Sequence, residues 1–247
     1  MLNTKPINKI LFIDIETVPQ VETFEKMTPV AQKLFKERFK TDLKNLEVDG
    51  KVSPEALEEL YNIKASLHVE WAKIVCLSVG AINTADEVYK IKTKSLTGAT
   101  DFEILTQMME LAPIKDYKGK AEDFAFCAHN GKVFDFPFIT KRMILNRMEI
   151  PKFLQIYNMK PWEITHLIDT KEMWKFGVFD NNSSLSLLAH VFGTPSSKDD
   201  MDGSMVKDCY YKEKNVAKIA EYCEKDVLAL AHVYLKMNGI ENQLTKI

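Results

Sequence analysis

Residues 11–19, LFIDIETVP, constrain this chain more than any other stretch. Residues 10–15 form an apolar, β-rich run that reads as a buried strand. On a strand, residues two apart share a face, so Asp14 and Glu16 point the same way. A carboxylate in a buried strand is costly unless it is paired or neutralised. Two of them side by side repel unless one keeps its proton or a cation lies between them. Either this is an edge strand whose acids face water, or it carries a divalent-cation site, because Mg²⁺ and Mn²⁺ prefer oxygen ligands. The apolar neighbours on both sides favour the second arrangement, but a lone DxE pair needs partners elsewhere in the chain.

Composition limits what those partners can be. The chain has 247 residues, room for one large domain or two small ones, and its 46% hydrophobic and 28% charged residues are ordinary for a soluble globular protein. A formal net charge of −2 gives no global pull on nucleic acid, so holding a phosphate backbone needs a local basic patch or bound cations. Cys76, Cys127, Cys209 and Cys223 form neither a CxxC pair nor a zinc spacing. With the polar start MLNTKPINK, they predict a reducing, cytoplasmic setting. No run approaches the roughly 18 apolar residues of a membrane span.

Periodicity predicts the remaining elements. Residues 29–46 place Val30, Leu34, Phe39, Leu43 and Leu46 near helical spacing, and a second helix opens at Ser53, with Pro54 at its first position. Strands are expected at 74–82, 88–91 and 125–129, and helices at 101–112, 136–147 and 185–192. Residues 194–208, TPSSKDDMDGSMVKD, read as a long polar surface loop. The clearest helix is 215–237, whose stripe Val216, Ile219, Ala220, Cys223, Val227, Leu230, Ala231 and Tyr234 follows the 3.6-residue period. Strands first, then helices mixed with strands, predict a single α/β domain with a mixed sheet.

Two later stretches supply further acids. Asp135, in HNGKVFDFPFI, follows a strand and a Gly turn and opens an apolar helix beside Pro137. Alone, it reads equally well as a helix cap. Tyr222 and Asp226, in EYCEKDVLAL, are one helical turn apart along the border of the apolar stripe, where a pocket-lining residue sits. A solvated Asp beside Lys225 and a boundary tyrosine would look the same. Their order changes the weighing. DxE in the first strand, Asp after HNG and YxxxD in a late helix resemble the DEDD superfamily of 3′-5′ exonucleases. The tyrosine four before the last Asp resembles the DEDDy branch, and Glu221 stands where the histidine branch has its His. KIVCLSVG, HNGKVFDFPF, SLSLLAHVFGTPSSKDDMDGS and YCEKDV are similar to stand-alone relatives of the exonuclease domain of family B DNA polymerases. The resemblance runs from about Lys9 to Met237.

It implies an α/β, ribonuclease H-like fold with a mixed sheet flanked by helices. It further implies one 3′-5′ exonuclease domain over residues 1–247, with residues 20–70 as a helical insertion after the first strand. Two divalent cations, Mg²⁺ or Mn²⁺, would be held by Asp14, Glu16, Asp135 and Asp226, and four carboxylates balance that charge. Tyr222 would orient the attacking water, and the product would be a nucleoside 5′-monophosphate. Substrate contacts are expected at Thr17, His129 and Asn130, although His129 reads as readily as a structural turn histidine. Phe134 and Phe138 suit the core better than base stacking, and Asp169 is not counted as a ligand. Lys33, Lys36, Arg38, Lys40 and Lys44 read as a solvated helix face before a phosphate track. The expected partner is nucleic acid, first of all a single-stranded DNA 3′ end. The alternatives are a 3′-5′ exoribonuclease and a non-catalytic nucleic-acid-binding domain of the same shape; the latter predicts a lost carboxylate, and all four are present. The sequence does not specify a polymerase or repair partner.

Overall fold

The computed structural model describes residues 5–85, 88–120, 122–178, 183–195, 201–241 and 243–247. Its organising element is β1 (Ile10–Pro19), buried along nearly its whole length and facing two different cores. Leu11, Ile13 and Ile15 point into one, Ile10 and Phe12 into the other, as the period of two requires. β2 (Ala72–Asn83) pairs antiparallel to β1, and β3 (Tyr89–Leu96) antiparallel to β2. On the other side β4 (Ala125–Ala128) runs parallel to β1 and β5 (Leu167–Asp169) parallel to β4. A short β6 (Leu244–Lys246) joins β3 in parallel, giving the order β5-β4-β1-β2-β3-β6. The sheet is mixed and flanked by helices, as expected from the sequence.

Between β1 and β2 the chain forms α1 (Pro29–Arg38), α2 (Lys40–Asn45) and α3 (Pro54–Lys64). These helices close around their own aromatic cluster of Phe24, Phe35, Phe39, Leu60 and Tyr61. Thr28 and Ser53 cap α1 and α3, accepting from the backbone N–H groups of Ala31 and Ala56. The stretch 29–46 is two helices, not one. Phe39 leaves helical geometry (φ −107°, ψ 26°), and its ring packs at 4.6 Å from Phe35 and 5.8 Å from Trp71.

One face of the sheet is covered by α4 (Asp101–Met109), α5 (Ala112–Lys115) and α6 (Asp135–Leu145), through Ile104, Leu105, Met108, Ile114, Phe136 and Ile139. The helix expected over 101–112 ends early because Pro113 has no N–H to continue it and opens a new turn instead. Next come α7 (Thr170–Lys175), α8 (Leu185–Phe192), α9 (Val206–Asp208) and α10 (Val216–Met237). The last of these lies across the opposite face, on Ile10, Phe12, Ile82 and Ile91.

Two further expectations need correction, and the three-residue strands β5 and β6 were not expected. β3, expected over 88–91, runs on to Leu96, a course hidden in the sequence by the exposed lysines at 92 and 94 that break up its apolar pattern. Three-residue β6 is too short to show a pattern. The expected surface loop 194–208 lies partly outside the described residues. Its latter part is not surface loop: Met201 and Val206 are buried against Val18, Val75, Cys76 and Cys223, and α9 runs into a π-helical turn at Cys209–Glu213. Two buried apolar side chains among many polar ones leave too faint a sequence signal. Among the described residues no helix is long and apolar enough to cross a membrane.

Candidate active site

Asp14 and Glu16 continue the face of β1 that Ile10 and Phe12 occupy. Phe12 packs edge-on against Tyr234 near the end of α10, with ring centroids 5.6 Å apart. Three turns earlier in that helix, Tyr222, Cys223 and Asp226 meet the two acids. Cys223 Sγ donates to Asp14 Oδ2 at 3.3 Å. The helix sits low on the sheet because β2 carries Gly80 beneath it. A Cβ there would lie 2.6 Å from Val227 Cγ1. Immediately after Glu16 the β1–β2 register shifts, with Glu16 opposite Cys76 but Thr17 opposite Ile74. Such a bulge re-aims the side chains that follow it, and Val18 is then free to pack on Val75 and Cys76.

Asp135 arrives by a turn that Asp169 holds. β4 ends at Ala128, and Asn130 takes a left-handed conformation (φ 63°). Gly131 follows so closely that a Cβ would lie 2.3 Å from that of Ala128. The Asp169 carboxylate, 3% exposed, accepts from the backbone N–H of Asn130 (2.9 Å), Lys132 (3.0 Å) and Lys171 (2.9 Å), capping α7 and pinning the turn together. Asp135 is not a helix cap. Phe134 occupies that position, while Asp135 is the first residue of α6, and its carboxylate lies near enough to its own N–H and to that of Ile15 for both to favour its ionised form. It therefore meets β1 between Asp14 and Glu16.

The electrostatics link all four acids. Burial, followed by the charges of Asp226, Glu16 and Asp135, holds the Asp14 carboxyl well above the usual range. Glu16 is raised likewise by burial, then by Asp226, Cys76 and Asp135. Burial also pushes Asp135 up to about 7, with those two N–H groups opposing and Asp169 and Asp226 adding to the rise. The Tyr222 hydroxyl is pushed up by burial, by Asp226 and Glu16, and by a hydrogen bond with Asp226. Among the described residues, Asp14, Glu16 and Cys223 bring potential ligand atoms within 4.8 Å of one another. These side chains fit a hard divalent cation. The donors are mostly carboxylate oxygens, and their burial and mutual repulsion disfavour the ionised forms until positive charge is supplied.

The expected substrate contacts fare differently. His129 has no ring nitrogen left for a nucleotide, since Nδ1 is hydrogen-bonded to Thr170 Oγ1 and Nε2 to the Ser183 carbonyl, both at 2.9 Å. Its role is to tie the end of β4 to α7 and the segment before α8. Thr17 Oγ1 donates to the Ser66 carbonyl (2.8 Å), tethering the α1–α3 region beside Glu16. Asn130 keeps its side chain at the surface of the turn, half-buried. Phe138 lies in the core and Phe134 packs against it, as composition suggested. Of the basic residues, Lys33 is paired with Glu37, Lys36 lies over the Phe24 ring and Arg38 over the Phe39 ring. Cys223 was not singled out from the sequence, because it falls inside the apolar stripe of α10; its adjacency to Tyr222 was the one signal. Asp169, set aside as a ligand, proves to be the residue that holds the Asp135 turn.

A family model described as a predicted 3′-5′ exonuclease related to the exonuclease domain of PolB matches residues 65–247, which is 183 of the 247 residues. The chain belongs to this exonuclease family. The family match includes Asp135, Tyr222 and Asp226 and begins after Asp14 and Glu16. Among solved structures, the family B DNA polymerase from the hyperthermophilic archaeon Pyrobaculum calidifontis superposes with a TM-score of 0.55 at 13% identity, over 94% of this chain. At that identity the likeness shows the fold, a ribonuclease H-like mixed sheet flanked by helices. The exonuclease-family chain spans 25% of the polymerase's length. None of the curated proteins compared matches it.

Proposed function

We propose that this exonuclease-family chain removes nucleotides from the 3′ end of single-stranded or frayed DNA, releasing nucleoside 5′-monophosphates, and that it uses two divalent cations, Mg²⁺ or Mn²⁺. The observation that carries this reading is the convergence of Asp14, Glu16, Asp135 and Asp226 with the Tyr222 hydroxyl in one mutually interacting cluster. Bound there, the cations supply the positive charge that lets four carboxylates ionise together and that offsets charge building on the scissile phosphate. Asp14, Glu16, Asp135 and Asp226 hold them. Tyr222 hydrogen-bonds the attacking water and aligns it with the departing oxygen. The water oxygen bonds to phosphorus, the P–O3′ bond breaks, and the shortened strand leaves with a 3′ hydroxyl. Asn130, at the Asp135 turn, and Thr17, next to Glu16 and through its backbone because its hydroxyl is given to Ser66, are the proposed contacts to the terminal nucleotide. The helical stretch 20–70, most of it ahead of the family match, is proposed as an insertion within a single domain.

Four acids at the centre and a net charge of −2 give no long-range attraction to a phosphate backbone. Affinity then rests on short-range contacts and stacking, which suit an unpaired strand. A duplex end must first open, at about 1–2 kcal/mol per base-pair step. The test is a time course on 3′-labelled single-stranded, mismatched and blunt duplex DNA and on the matching RNA, with and without chelator. Rates are expected to fall in that order for DNA and to vanish with chelator. A faster rate on RNA favours the exoribonuclease reading. Binding without turnover favours a non-catalytic domain, and cleavage of a circular strand would mean an endonuclease.

A further inference from the structure

Glu224 sits on α10 between Tyr222 and Asp226, yet it faces the other way. Successive residues on a helix are about 100° apart. With Cys223 pointing down at the sheet, Tyr222 projects to one flank and Glu224 to the opposite one. The Tyr222 flank is the carboxylate cluster, and the Glu224 flank is β3. There Glu224 Oε2 accepts from Thr93 Oγ1 at 2.8 Å and from Lys246 Nζ at 2.5 Å, while Oε1 accepts from Ser95 Oγ at 3.0 Å. Ser95 Oγ is in turn 2.8 Å from Ser78 Oγ. In the ladder Ser95 stands opposite Ser78, and Ser78 opposite Asp14. A polar row thus crosses the three strands beneath the first turns of α10. It begins at Asp14, where Cys223 donates, and ends at Glu224. Ser95 Oγ also reaches the Ala220 carbonyl of α10 at 3.2 Å, and further along the helix the contact is apolar, Val227, Leu230 and Ala231 on Ile10, Phe12, Ile82 and Ile91. Apolar contact resists separation but is non-directional, so it opposes a small roll of the helix only weakly.

We propose that Glu224 is a positioning residue whose bonds to Thr93, Ser95 and Lys246, opposed across the helix by the Cys223–Asp14 bond, lock the roll of α10 and so hold Tyr222 and Asp226 against Asp14 and Glu16. A roll of about 20° carries side-chain tips roughly 2 Å at the radius of a helix. That is ample to spoil catalysis, since a misplacement of about 1 Å can cost about 100-fold in rate. The catalytic consequence rests on the proposed nuclease activity; the locked roll does not.

The experiment therefore has two readouts on the full chain. In Glu224→Ala, modification of Cys223 by a thiol reagent under native conditions, followed by mass spectrometry, should speed up at least about tenfold, because the freed helix opens that seam. Phe153→Leu, a variant in the core on the other side of the sheet, serves as a control for general loosening, and Glu224→Gln should restore most of the protection. Divalent-cation affinity by calorimetry and kcat should fall together in Glu224→Ala, at least about tenfold, with KM for the DNA strand changed less than about threefold. If Cys223 in Glu224→Ala reacts no faster than in Phe153→Leu, the lock is refuted. If it reacts faster while the parent shows no nuclease activity, the proposed function fails and the lock stands. If the seam opens but kcat and cation affinity hold in an active enzyme, the positioning role is refuted.

Discussion

Asp135 is the acid whose protonation is most open to measurement. Its carboxyl titrates at about 7 in the folded chain against an ordinary 3.8, so between about pH 4 and 7 the folded protein holds a proton that the unfolded chain has lost. Stability of the cation-free protein should therefore fall as pH rises through that window. Asp135→Asn, which cannot ionise, should flatten the fall, and thermal midpoints taken at half-unit pH steps compare the two. Asp14→Asn should abolish turnover and weaken cation binding, while raising the midpoint of the cation-free protein by removing one member of a repelling set. A lowered midpoint together with retained turnover would remove Asp14 from the site. Tyr222→Phe keeps the buried ring and deletes only the hydroxyl. Turnover should drop by roughly 10²–10⁴-fold with strand affinity nearly unchanged, and normal turnover would leave Tyr222 a packing residue.

At the scale of elements, the site depends on how closely two pairs of backbones approach. Gly80→Ala places a methyl 2.6 Å from Val227 Cγ1 and lifts α10 from the sheet. A cost of about 1–3 kcal/mol is expected in denaturant unfolding, as for other overpacked contacts, accompanied by weaker cation binding. The same carboxylate cluster shows what a sequence can and cannot reveal. The four acids and Tyr222, which the structure brings into one cluster, could be picked out in the sequence only through the family resemblance that their order carries; singly, each read as readily as a cap or a surface residue. The bulge after Glu16 was not legible, since a register shift leaves no mark on either strand alone. Nor was the commitment of both His129 ring nitrogens, because Thr170 and Ser183 lie 41 and 54 residues away along the chain. Asp169 could be seen as an acid but not as a clamp, for its partners are backbone N–H groups, which every residue but proline possesses.

The whole molecule has separate cores, and the aromatic cluster of α1–α3 shares little with those of the sheet. Phe35→Ala removes a fully buried ring at the centre of that cluster and should cost about 3–5 kcal/mol locally. Hydrogen exchange should then show residues 24–64 opening while β1, β2 and α10 stay protected; uniform loss of protection would mean that the cores unfold together. The separation of the acids along the chain carries a different consequence, one of timing. Asp226 follows Asp14 by 212 residues, and a ribosome adding 5–20 residues per second needs roughly 10–40 seconds to cover that distance. Throughout that interval the emerging chain carries Asp14 and Glu16 without the helix that faces them. A half-made copy therefore has no assembled carboxylate cluster. On the proposed nuclease reading, cleaving power comes only once α10 has been made and has docked, with no inhibitor required to keep it off until then.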